Sequence, residues 1–201
     1  MLGPWVLGAL AVAATLLTAV LLVASVSTPE PYRVAFPGVT HPATPGDFLF
    51  VLYRNGLVLS LHALSCVAGF MAASAPPAGH HGRIRRWLNA RAGRLAIAFV
   101  IGATIFSLMT QAFILGATAA DLAAQLDISA GLLLLTFLPH ALPELTMLFL
   151  PLAAWTIASR RGHWHELLAA TFVTVGLAAP VLVLTAFIEV YVSPHLLIAV
   201  S

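Results

Sequence analysis

Lysine is absent from this chain, and charge of either sign is scarce. Nine arginines and seven acidic residues are spread over 201 residues, so charged side chains make up 8% of the total. A soluble domain carries about 25%. With 61% hydrophobic residues and a mean hydropathy of +1.01, the chain lacks the polar surface a soluble fold needs. This excludes an ordinary cytosolic enzyme, a nucleic-acid-binding module and a disordered protein. The single cysteine, Cys66, excludes an internal disulfide and a cysteine-based metal cluster. Also missing are a phosphate-binding glycine loop, a G-x-S-x-G nucleophile elbow and the H-E-x-x-H pattern of zinc proteases. No internal repeat interrupts the apolar pattern. What is present is long hydrophobic runs, and these predict an integral membrane protein built as an all-α helical bundle.

A spanning helix needs roughly 20 mostly apolar residues. Five stretches qualify, at about 4–25, 48–73, 95–119, 128–158 and 167–192. The first has no basic residue before it and is too long for the apolar core of a signal peptide, so a retained anchor is expected. A loop from Ser27 to Asp47, rich in proline and glycine, separates the first two stretches. The loop at about 75–94 holds Arg83, Arg85, Arg86, Arg91 and Arg94, and the short loop before the fifth stretch holds Arg160 and Arg161. With five spans these two loops share one side, and the remaining loops are neutral to acidic. The positive-inside rule then places the N-terminus in the cytoplasm and the C-terminus outside. Within the first basic loop, Ile84, Trp87, Leu88 and Leu95 recur at helical spacing among the arginines. That pattern reads as an amphipathic helix on the inner leaflet, with Arg heads at lipid phosphates and Trp87 at the interface. A plain positive-inside anchor with no specific partner would need the same arginines.

Ionisable residues inside spans are costly and face protein or water, so they are the first candidates for a site. They are few: Arg54, Asn55 and His62 in the second span, His140 and Glu144 in the fourth, and Glu189 in the fifth. Arg54, Val58, His62 and Cys66 follow one another at i, i+4 spacing, as do Thr136, His140 and Glu144, and Thr185 and Glu189. Pro139 and Pro143 sit beside this stripe, one before His140 and one before Glu144, and the segment Leu138–Leu145 is expected to be kinked or unwound. Unwound backbone at membrane depth is tolerated only inside protein or beside a cavity. Three uses of these groups stay open: pairing that holds the helices in register, a transport or proton role, and ligation of a metal or haem. No cofactor is predicted, and no catalytic residue.

Three patches carry a family resemblance. Leu138-Pro139-His140-Ala141-Leu142-Pro143-Glu144-Leu145 resembles a PHG-x-x-EL signature, with Ala141 for the glycine and Pro143 added. Leu184 to Pro194 resembles an A-x-IEA-x-x-TP segment, and Tyr53-Arg54-Asn55-Gly56-Leu57-Val58 resembles an R-N-N-x-R-V segment. In this order and spacing they are similar to the stage II sporulation protein M family. The resemblance implies a five-span protein of the bacterial inner membrane. It implies a non-enzymatic scaffold that recruits membrane or envelope partners, peptidoglycan-degrading proteins among them. Expected partners are membrane lipid, other membrane or envelope proteins and a second copy of the chain as a homodimer, with no nucleic acid. The rivals are a small transporter or channel component using His140, Glu144 and Glu189, and an accessory subunit of a cofactor-bearing complex.

Overall fold

The computed structural model describes residues 2–30, 34–74 and 83–201. Among them there is no strand, and the chain is all-helical. The long helices are α1 (Leu2–Val26), α2 (Pro45–Ser74), α3 (Arg83–Gln125), α4 (Ala130–Arg161) and α5 (Leu167–Phe187). A π-helical turn, Ile188–Val192, and a short α6, Ser193–Ile198, prolong α5. Four stretches among the described residues are long and apolar enough to cross a membrane: Leu2–Val26, Thr104–Gln125, Ala130–Arg161 and Leu167–Ile198. The backbone of the basic segment is helical from Arg83 and runs without a break into the rest of α3. Residues 75–82 and the side chains of Arg83, Arg85, Arg86, Trp87, Arg91 and Arg94 lie outside the described residues.

Small residues let the helices approach. In α1, Trp5, Ala9, Ala13, Leu16, Val20 and Ala24 recur every three or four positions and are the buried face. Five of the six are small, aliphatic or both, as close helix packing in a membrane favours. This face meets α4 and α3, while α2 packs on α4 and α5. The centre is therefore α4, 39% of whose most apolar window is buried, against 22% for α1. Ser129 caps its start by accepting the Leu132 N–H at 3.2 Å, and Arg160 and Arg161 complement its C-terminal dipole.

Of the kink or unwinding expected at Leu138–Leu145, the unwinding is not found: α4 is helical throughout, with Pro139, Pro143 and Pro151 inside it. Prolines are tolerated in such helices when neighbouring groups take up the disturbed carbonyls. Two contacts from α2 reach other α4 carbonyls near Pro151. His62 Nδ1 lies 2.7 Å from the Leu148 carbonyl, and Cys66 Sγ donates to the Pro151 carbonyl at 3.2 Å.

The irregularity falls in the last helix instead. Pro194 has no N–H to give and its ring would press on the carbonyl of Val190 in a regular α-helix. The backbone widens ahead of it, and the Ser193 N–H bonds to the Ile188 carbonyl across a π turn. Glu189 sits inside that turn.

The loop before α2 is fastened at both ends. The Glu30 N–H donates to Asp121 Oδ1 at 2.7 Å and the Val34 N–H to Gln125 Oε1 at 2.9 Å, both at the end of α3. Phe36 stacks on Phe137 of α4 with ring centroids 5.5 Å apart. Gly38 has φ +79°, and a Cβ there would lie 2.7 Å from the Pro194 ring carbons. Glycine is thus required for the loop to seat against the π turn.

Thr44 and Asp47 then close a capping box on α2. Asp47 Oδ2 accepts from the Thr44 hydroxyl at 2.7 Å and the Thr44 N–H at 2.9 Å, and the Asp47 N–H returns to Thr44 Oγ1 at 3.3 Å. The Thr44 hydroxyl, then the Thr44 amide, then the nearby His41 hold the Asp47 carboxyl below its usual range. A depressed pKa means that the cap's stabilisation is complete above the ordinary carboxylate value and is lost as pH falls through the lower, folded value. The Thr44 amide resonance is therefore expected to titrate with a midpoint below 3.8, and Asp47→Asn to abolish the titration. A midpoint at or above the ordinary value would overturn this account of the cap.

Candidate functional site

The second, fourth and fifth helices each deliver ionisable side chains to the end of the bundle that carries the proline-rich loop. Arg54 leaves α2 about two turns from its start. Glu144 leaves α4, with His140 one turn earlier on the same face. Glu189 projects from the π turn. All four line a cavity of about 500 Å³, within the size range of small-molecule sites.

Arg54 Nη2 lies 3.7 Å from Glu189 Oε1, with the arginine 51% exposed and the glutamate 18%. Glu144 is 7% exposed, and its Oε2 is buried without a hydrogen-bond partner among the described residues. Asn55, 2% exposed, and Thr185 lie against the same carboxylate. Neither Asn55 Nδ2 nor Glu189 Oε2 has a partner either. Unmade hydrogen bonds of buried groups cost about 1–3 kcal/mol each. The three fall in one cluster beside the cavity, where the Asn55 amide, a donor, lies against the Glu144 carboxylate, an acceptor. His140 is oriented by a 2.8 Å hydrogen bond between its Nδ1 and Ser193 Oγ, and its ring lies 5.4 Å from that of Phe137.

The six sequence candidates therefore divide. Arg54, His140, Glu144 and Glu189 share the cavity, and Asn55 backs it. His62 lies two turns deeper, against Leu148 and Phe149, and has a packing role there. Among the described residues no three of His, Cys, Asp and Glu come together as metal ligands. Composition could not place Ser193, which depends on the π turn, or the loop wall of Val34, Phe36, Pro37 and His41. A signal was there for two of these. Apolar Val34 and Phe36 in a loop rich in Pro, Gly and Thr have no reason to face solvent.

The model of the stage II sporulation protein M family matches residues 86–194. The chain belongs to this family. The matched region runs from α3 through the π turn and includes His140, Glu144, Glu189 and Ser193, while Arg54 and Asn55 lie before it. No curated protein and no solved structure matches the chain. Family membership and helices able to span a membrane agree on a membrane protein.

Proposed function

We infer that the chain is a non-enzymatic, multi-pass protein of the bacterial cytoplasmic membrane that organises a membrane or envelope complex. Its family membership supports this reading. So does the charge pattern, which with α2 as a fifth span puts Arg83 to Arg94 and Arg160–Arg161 in the cytoplasm and the cavity on the outer side. The observation that carries the scaffold over a channel is the closed interior. Among the described residues, the bundle inward of Glu144 is filled by Leu148, Phe149, Leu150, Ala154 and Trp155, all buried, and no Arg, Asp, Glu or His is buried beyond His62. A helix bundle plugged in this way holds a shape and offers its flanks.

The test is to tag the chain in its native membrane and recover its complex in mild detergent. A stoichiometric membrane or envelope protein is expected, one that loses its own localisation when the chain is deleted. A clean homo-oligomer, with every envelope protein localised normally after deletion, would overturn the reading. The cavity favours a second reading, a transport component. On that reading Glu144→Gln folds normally and abolishes flux of a solute across proteoliposomes, whereas a scaffold shows no such flux to lose.

A further inference from the structure

α3 contains the least apolar of the four stretches able to cross a membrane, yet α4 is the one the bundle encloses. α3 packs on α1 and, less extensively, on α4. Beside the face that meets α1 runs a second stripe, Thr104, Ser107, Gln111, Ile114 and Thr118, at alternating spacings of three and four residues. Ile97 and Val100 continue the spacing upstream. Two helices wind around each other along such a repeat, in membranes as in water. Ser107 and Thr118 are exposed, Ile114 is 61% exposed, and Thr104 and Gln111 are half-buried.

Gln111 sets this stripe apart from an ordinary lipid-facing one. It stands about two turns or more from either end of Thr104–Gln125, at membrane depth. The hydroxyls of Thr15, Thr18 and Thr110 close onto carbonyls of their own helices and need no partner. An amide has two N–H groups and a carbonyl to satisfy. One N–H of Gln111 goes to Ser107 Oγ, 3.0 Å away on the same helix, its one side-chain hydrogen bond among the described residues. An N–H and the carbonyl oxygen are left over. Acyl chains offer them nothing, so the partner is a polar group on another helix.

The chemistry of the amide selects that helix. Being donor and acceptor at once, it complements a second copy of itself. Copies inserted with the same topology are related by a twofold axis along the membrane normal, which sets each residue of a contact helix opposite its own counterpart. A polar side chain in the middle of such a repeat also fixes register and strand number. We propose that α3 pairs in parallel with α3 of a second copy along Thr104, Ser107, Gln111, Ile114 and Thr118, the two Gln111 amides hydrogen-bonded across the twofold axis. The pairing does not depend on the scaffold reading, since a transport component would dimerise in the same way.

The test uses the full chain. Sedimentation equilibrium in a nonionic detergent is expected to show a dimer, and Gln111→Leu to raise its Kd about tenfold, the value of two interhelical hydrogen bonds. Oxidative cross-linking of single-cysteine variants in the native membrane then maps the contact. The wild-type chain, whose lone Cys66 is buried, is the blank. Ser107→Cys and Ile114→Cys are expected to give covalent dimers. Phe106→Cys and Phe113→Cys, at exposed positions on another face of α3, are expected to give none. The two stripe variants leave Gln111 in place, so they report the pairing even if Gln111→Leu fails to fold. A monomer with no cross-link at either stripe position would overturn the proposal. So would a dimer that Gln111→Leu leaves undiminished, or one that cross-links through Phe106→Cys or Phe113→Cys instead. Cross-linking of the stripe to a different membrane protein, with no covalent dimer, would assign the stripe to that protein and overturn it as well.

Discussion

Arg54→Leu is expected to destabilise the chain by about 3 kcal/mol, and adding Glu189→Leu to it is expected to recover most of that loss. The asymmetry between the partners is the reason. Arg54 is half exposed, at the bundle end, and its long side chain can carry the guanidinium to the interface if Glu189 is removed. Glu189 has no such exit. It is mostly buried in the π turn, shares the cavity with Glu144, and has one oxygen with no partner already. Loss of the arginine leaves two carboxylates near each other in a poorly solvated space with no other arginine among the described residues lining the cavity. The expected order of stability is therefore wild type, then Glu189→Leu, then the double variant, with Arg54→Leu last. Thermal unfolding in one detergent, read as a double-mutant cycle, measures it. If the double variant is as unstable as the two single losses added together, the residues are not coupled and the pair has no structural role.

The polar end of the cavity can be read from the sequence because membrane energetics leaves so few candidates. Arg54, His140, Glu144 and Glu189 are conspicuous in apolar helices, and i, i+4 spacing sets His140 and Glu144 on one face before any tertiary contact is known. What cannot be read is which helix they turn toward. His62 stands on the same stripe as Arg54, yet the rotation of α2 past α4 takes it to a carbonyl beside Pro151. The prolines mislead in one respect. Proline weakens a helix in isolation, but His62 and Cys66 come from another helix to satisfy α4, and such pairing is invisible to local pattern. Pro194, which follows the π turn, stands at the end of the fifth apolar run, where a terminus is the simpler reading. The loop wall is non-local in the same way. Phe36 meets Phe137 a hundred residues later, and Gly38 is fixed by a partner, Pro194, farther still.

Gly116→Leu is expected to cost about 3 kcal/mol, the upper end for overpacking, and to lower Tm by about 6–12 °C. A Cβ at Gly116 would stand 2.6 Å from Val23 Cβ, 2.7 Å from Val23 Cγ1 and 2.9 Å from the Val20 carbonyl oxygen. The valine is β-branched and has no free rotamer to retreat into, and the carbonyl belongs to the helix backbone, so neither neighbour yields cheaply. The whole of α3 must move. Its packing rests mainly on α1, with a smaller contact on α4, so among the described residues little stands on its other side and the movement opens the seam with α1. That seam ends at Val20, Leu115, Ala119 and Leu122, which are walls of the cavity. The same substitution should therefore loosen the apolar side of the cavity while leaving Arg54, Glu144 and Glu189 in place on α2, α4 and α5. Gly102→Leu, on the same helix with nothing within 4 Å of its Cβ position among the described residues, is the control and is expected to change Tm little. Thermal melts of the two variants side by side decide it. Equal tolerance at both positions would mean that α3 does not lie against α1 as closely as the Gly116 contact requires.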